Sequence, residues 1–158
     1  MTDLMATLAD HILGPAHVGF IVPDLEKAVA DACAVYGIAP ERVHYHPERG
    51  TEGPTLFAFF NVAGLEFEYI EPREDHFREL LFTMPSGGGG INHVAWRVRD
   101  MDGALERLHS RGIVPGHVTP DGVVSFGGKK MVYLDPATTG GLVIELIELP
   151  ESRMADKA

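Results

Sequence analysis

The segment His17-Val18-Gly19-Phe20-Ile21-Val22-Pro23-Asp24-Leu25-Glu26-Lys27-Ala28-Val29 returns 76 positions later as His93-Val94-Ala95-Trp96-Arg97-Val98-Arg99-Asp100-Met101-Asp102-Gly103-Ala104-Leu105. A chain that repeats itself in this way folds most simply as two copies of one unit. Each copy opens with the apolar alternation of a strand, then offers Asp24 or Asp100 where a helix needs an N-cap acceptor. Leu25, Ala28, Val29, Ala32 and Tyr36, and then Met101, Ala104, Leu105 and Leu108, recur at helical spacing. Gly37 and Gly112 close the two helices. Strand-like runs follow at 42–46, 55–62 and 66–71, and again at 123–126, 131–134 and 142–147. The unit reads as βαβββ twice, an α+β fold within one domain of 158 residues. The first module spans 15–72 and the second 91–149. The connector between them, 73–90, carries a short helix around 76–81 and the glycine run at 86–90.

The module ends match as well: Leu65-Glu66-Phe67-Glu68-Tyr69-Ile70-Glu71 lies over Leu142-Val143-Ile144-Glu145-Leu146-Ile147-Glu148 and pairs Glu68 with Glu145. Successive side chains of a strand point to opposite faces. Val18, Phe20 and Val22, like Val94, Trp96 and Val98, are suited to cover the helices. His17, His93, Glu68 and Glu145 are then left on the other face. If two curled sheets combine about a pseudo-twofold axis, the four converge inside a cup. Two imidazoles and two carboxylates suit a divalent ion such as Zn²⁺, Ni²⁺, Co²⁺ or Mn²⁺, with positions left for water or substrate. A single His or Glu in such a place is usually satisfied or solvated; the repetition favours a ligand set. Glu66 shares the face of Glu68 and is the alternative at that position.

Composition narrows the partners. With 13 basic against 23 acidic residues the net charge is −10, which repels a phosphate backbone, so no nucleic-acid partner is expected. No apolar run approaches the roughly 20 residues needed to cross a bilayer. The first residues lack the basic start of a targeting peptide, so a cytoplasmic location without membrane contact is expected. Cys33 is the single cysteine and falls in an apolar periodic stretch, where it packs as a small hydrophobe.

Over residues 15–149 the chain resembles the vicinal oxygen chelate (glyoxalase/bleomycin resistance/dioxygenase) superfamily, and within it is similar to the methylmalonyl-CoA epimerase family. The resemblance is carried by His17-Val18-Gly19, Pro47-Glu48-Arg49-Gly50, Glu71-Pro72, His93-Val94-Ala95-Trp96-Arg97-Val98, and Pro136-Ala137-Thr138-Thr139-Gly140-Gly141-Leu142-Val143-Ile144-Glu145-Leu146. It implies a cup of paired βαβββ modules, a curled mixed sheet, with one divalent ion held by His17, Glu68, His93 and Glu145. It also implies Glu48 as general base, Glu145 or a metal-bound water as second acid, and a homodimer. The activity implied is epimerisation of a 2-substituted malonyl-CoA-like thioester by proton abstraction, with the enolate stabilised by the metal.

Three residue patterns depart from the epimerases. Glu68 stands where some have Gln, a step towards glyoxalase I. Asn92 replaces a frequent second His. Asp135-Pro136-Ala137-Thr138 replaces a His-Pro-Lys-Ser stretch whose Lys could meet a phosphate. Arg97 shares the face of His93 and suits either a substrate carboxylate, held bidentately, or a salt bridge to Glu66 or Glu68. Lys129-Lys130 reads as a solvated turn. His44, His46, His76, His109 and His117 have no partner at repeat spacing. The competing readings are a lactoylglutathione lyase acting on a thiol conjugate, an extradiol-type dioxygenase, and a metal-free binding protein of the same fold. A fourth protein ligand would crowd oxygen out of the dioxygenase site.

Overall fold

The structure, a computed structural model, describes residues 8–82 and 90–150. The chain divides into two compact units, residues 17–93 and residues 94–158 together with 1–16.

In the unit 17–93, the second half of β1 (Ile12–Ile21) leads into α1 (Leu25–Tyr36), followed by β2 (His44–His46), β3 (Thr55–Val62), β4 (Leu65–Pro72) and α2 (Asp75–Phe82). β4 runs parallel to β1, with His17 opposite Glu66 and Gly19 opposite Glu68. β3 pairs antiparallel with β4 and β2 antiparallel with β3. Phe20 and Val22 face α1 and join Leu25, Val29, Ala32, Val43, Ala58 and Phe60 in an apolar core, with Cys33 packed against it. The Asp24 carboxylate accepts from Lys27 N–H, and Gly37 ends α1 at φ 68°, a left-handed conformation that glycine adopts without cost.

The other unit repeats this plan with β5 (Ile91–Val98), α3 (Met101–His109), β6 (Val124–Phe126), β7 (Lys129–Tyr133) and β8 (Ile144–Glu148). β8 lies parallel to β5, with Ala95 opposite Glu145, and β7 pairs antiparallel with β8. Trp96, Val98, Ile144 and Leu146 pack against Met101, Ala104 and Leu108 of α3. Asp100 accepts from Gly103 N–H. One further detail is duplicated: Glu71 Oε2 accepts Leu25 N–H at 2.8 Å and Glu148 Oε2 accepts Met101 N–H at 2.6 Å. Each module's last strand thereby satisfies an orphan donor at the start of its own helix.

Several boundaries differ from the sequence reading, most by one or two residues. Residues 40–42 form a 3₁₀ turn begun by Pro40, so the strand expected from 42 starts at His44. Gly140 and Gly141 hold positive φ, and Leu142 is exposed, so the last strand begins at Ile144 rather than 142. α3 stops at His109 with Ser110 as its C-cap, and Gly112 turns the chain just beyond. The helix expected around 76–81 is α2; of the glycine run, 86–89 lie outside the described residues. No helix among the described residues is long and apolar enough to cross a membrane.

Candidate metal centre

Alternation delivers three of the sequence-derived ligands to one point within the unit 17–93. His17 follows from β1, Glu68 from β4 and His93 from β5, each on the face turned away from the helix-packing residues. His17 Nε2 lies 3.1 Å from His93 Nε2. Glu68 Oε2 stands 3.2 Å from the first of these nitrogens and 3.3 Å from the second. All three residues are buried.

Two neighbours set the position and tautomer of His93. Asn92 Oδ1 lies 2.9 Å from His93 Nδ1. An amide oxygen only accepts, so Nδ1 carries a proton, and Nε2 is the ring atom left to meet Glu68 and His17. The His93 ring also rests on the bare backbone of Gly19, where any Cβ would overlap the imidazole. Asn92 is more than the departure noted in the sequence. Gly19 is a glycine inside a strand pattern, the usual mark of a close approach, and its need is visible only once the ring is placed.

Burial alone would push the Glu68 carboxyl up. Hydrogen bonds from His17 and His93, and the charges of those rings, outweigh burial and hold it at about 2, so the carboxylate is the form the fold favours.

Glu145 comes from β8, where it stands opposite Ala95 and is 3% exposed. One ligand atom from each of His17, Glu68, His93 and Glu145 lies within 4.8 Å of all the others. The donor set passes a simple test of fit. Lone-pair atoms 3.1–3.3 Å apart need a proton or a cation among them. Edges of that length are what adjacent ligands about 2.0–2.2 Å from a first-row divalent ion would span. Glu66, the alternative at this position, instead lines a surface cleft with Tyr36, Arg42 and His44.

The remaining candidates are placed differently. Glu48 is exposed in the loop after β2, and its carbonyl accepts Thr51 N–H. Arg49 ties that loop to the first turn of α1 through a two-pronged contact with Glu26, 2.6 and 2.9 Å long. Arg97 is half-buried and, among the described residues, makes no salt bridge to Glu66 or Glu68, which corrects one of the two sequence expectations for it. Lys130 is not merely a solvated turn residue, since it pairs with Glu148 at 3.2 Å.

A family model described as the Glyoxalase/Bleomycin resistance protein/Dioxygenase superfamily matches residues 16–133. The mitochondrial methylmalonyl-CoA epimerase of Mus musculus is 28% identical over 130 residues, which cover 82% of this chain and 70% of that protein. The ethylmalonyl-CoA/methylmalonyl-CoA epimerase of Cereibacter sphaeroides is 27% identical over 132 residues, covering 82% of this chain and 93% of the relative. Among solved structures, the methylmalonyl-CoA epimerase of Mycobacterium tuberculosis superposes with a TM-score of 0.69 at 23% identity, over 98% of this chain and 97% of the other, a likeness of fold.

Proposed function

Since the chain belongs to the Glyoxalase/Bleomycin resistance protein/Dioxygenase superfamily, we propose that it is a metal-dependent isomerase that epimerises a 2-substituted malonyl-CoA-like thioester. The observation that carries this reading is the buried convergence of His17, Glu68, His93 and Glu145. The names of the relatives supply the substrate class. His17, Glu68, His93 and Glu145 would hold one divalent ion, of which Zn²⁺, Co²⁺, Ni²⁺ and Mn²⁺ all suit a mixed nitrogen and oxygen set. When bound, the ion would supply positive charge where the thioester oxygen turns anionic as the alpha proton leaves.

The chain's own residues do the rest. Glu48 removes the alpha proton from one face. Its loop is held by the Arg49–Glu26 fork, which limits how far the carboxylate can wander. Return of a proton to the opposite face, from Glu145 or a water beside it, inverts the carbon. General acid–base help is worth about 10²–10⁴-fold. Glu48→Ala is therefore expected to lower turnover of racemic methylmalonyl-CoA by at least about 10²-fold while bound metal stays the same; undiminished turnover would remove Glu48 from the mechanism.

One observation favours a second reading: a carboxylate at position 68 also suits the glyoxalase pattern. Deuterium entry at C2 of methylmalonyl-CoA, assayed beside methylglyoxal plus glutathione, separates the two. Exchange in the first and inactivity in the second is the expected result, and the reverse would transfer the function to a lactoylglutathione lyase.

A further inference from the structure

Arg97 breaks the repeat in an informative way. His17 and His93 are equivalent, so Arg97 occupies the place that Ile21 holds in the first copy, and Ile21 is wholly buried. One copy therefore keeps an apolar side chain where the other installs a guanidinium. That guanidinium is half-buried, and its Nε is shielded from solvent and, among the described residues, has no hydrogen-bond partner. In a chain of 23 acidic and 13 basic residues, a carboxylate partner would be easy to provide. None of the described carboxylates reaches it. A shielded donor without a partner is a cost to folding that a ligand can relieve.

Its surroundings indicate what kind of ligand. On β5, His93, Ala95 and Arg97 share the face opposite Trp96 and Val98, and Glu145 stands opposite Ala95. The residue between His93 and Arg97 on that face is thus only a methyl group, itself wholly buried. Gly14, at φ 151°, lets the backbone pack close against the guanidinium: a Cβ there would come within 3.2 Å of Arg97 Nη2. A planar fork of N–H donors on the face that carries His93 matches the geometry of a carboxylate.

We propose that Arg97 receives the free carboxylate of the substrate and so makes the site selective for acyl thioesters that carry an anionic group on the reacting carbon. This rests on the thioester reading above. It adds a residue outside the metal set that recognises the substrate before any proton moves. The phosphates of a coenzyme A ester offer the same anionic chemistry, so the test must separate the two sources.

Calorimetric binding of methylmalonyl-CoA and propionyl-CoA to the metal-loaded protein does so, because the second ester lacks only the carboxylate. Methylmalonyl-N-acetylcysteamine, which keeps the carboxylate and has no phosphate, completes the set. Arg97→Gln is expected to weaken both carboxylate-bearing esters by about tenfold or more, while propionyl-CoA shifts by less than about twofold. Arg97→Lys should recover part of the loss, since it restores the charge without the fork. Because Arg97 holds up no other described residue by hydrogen bond or ion pair, both variants should remain folded, with unfolding temperatures no lower than that of the wild type. Equal weakening of methylmalonyl-CoA and propionyl-CoA would assign Arg97 to a phosphate and overturn the proposal, as would no change in any ester. Wild-type protein that exchanges the alpha proton yet binds the two CoA esters equally would sink the carboxylate role alone. Protein that binds no ester would sink the thioester reading with it.

Discussion

At the residue scale, the candidate site depends on atoms that carry no chemistry of their own. Gly19 is required for what it lacks: Gly19→Ala would drive a methyl group into the His93 ring. We expect that variant to fold with its apolar core intact and to lose divalent-ion affinity by about 10-fold or more, read by competition with a chelator. Wild-type affinity would show that the ring does not need its seat on that backbone. Asn92→Ala frees the His93 tautomer and should weaken the ion by about 10–100-fold, the usual cost of losing an outer partner of a ligating imidazole. The acid response of the metal-free protein follows from Glu68. Its carboxyl is held at about 2 against an ordinary 4.5, so the ionised form is favoured by the fold. That stabilisation is complete above the ordinary value and is lost as pH falls through the folded one. Urea unfolding between about pH 5 and pH 2 should then fall more steeply for wild type than for Glu68→Gln. Parallel curves would contradict the assigned cause.

At the element scale, α1 and α3 each start from two acceptors supplied by equivalent residues. Asp24 and Asp100 accept from first-turn N–H groups three residues on, and Glu71 and Glu148 reach back from the last strands to accept from the first helical N–H. Glu71→Ala and Glu148→Ala should each cost about 1–2 kcal/mol in denaturant unfolding, by similar amounts because the local geometry is duplicated. A loss in one module only would mean that the second acceptor is idle. The caps, both helices and most strands were legible in the sequence, since 3.6- and 2-residue periods report directly on what each face must bury. The matching glutamates were visible as a repeated letter, but their partners, 46 and 47 residues away, were not. The starts of β2 and β8 were misplaced because Pro40 and the left-handed Gly140 and Gly141 impose turns that apolar alternation does not register.

At the scale of the whole molecule, the candidate donors are separated by up to 128 positions along the chain. A cation that binds only the folded chain must stabilise it by mass action. Chelator-treated protein should regain about 2.7 kcal/mol when reloaded at 100 times the dissociation constant of its ion. His93→Ala should abolish the gain; a gain that persists in that variant would place the stabilising ion elsewhere.

The repeat, by itself, determined the βαβββ plan, the helix-facing residues and the shared face of the candidate donors, because duplication and alternation are properties of order along the chain. Only the tertiary structure decided that Glu68 rather than Glu66 meets the imidazoles, that Asn92 orients one of them, and that Arg97 stands without a carboxylate. Those outcomes turn on separations of a few ångströms between strands distant in sequence, set by register, sheet pairing and side-chain rotamer, which no period along a single chain encodes.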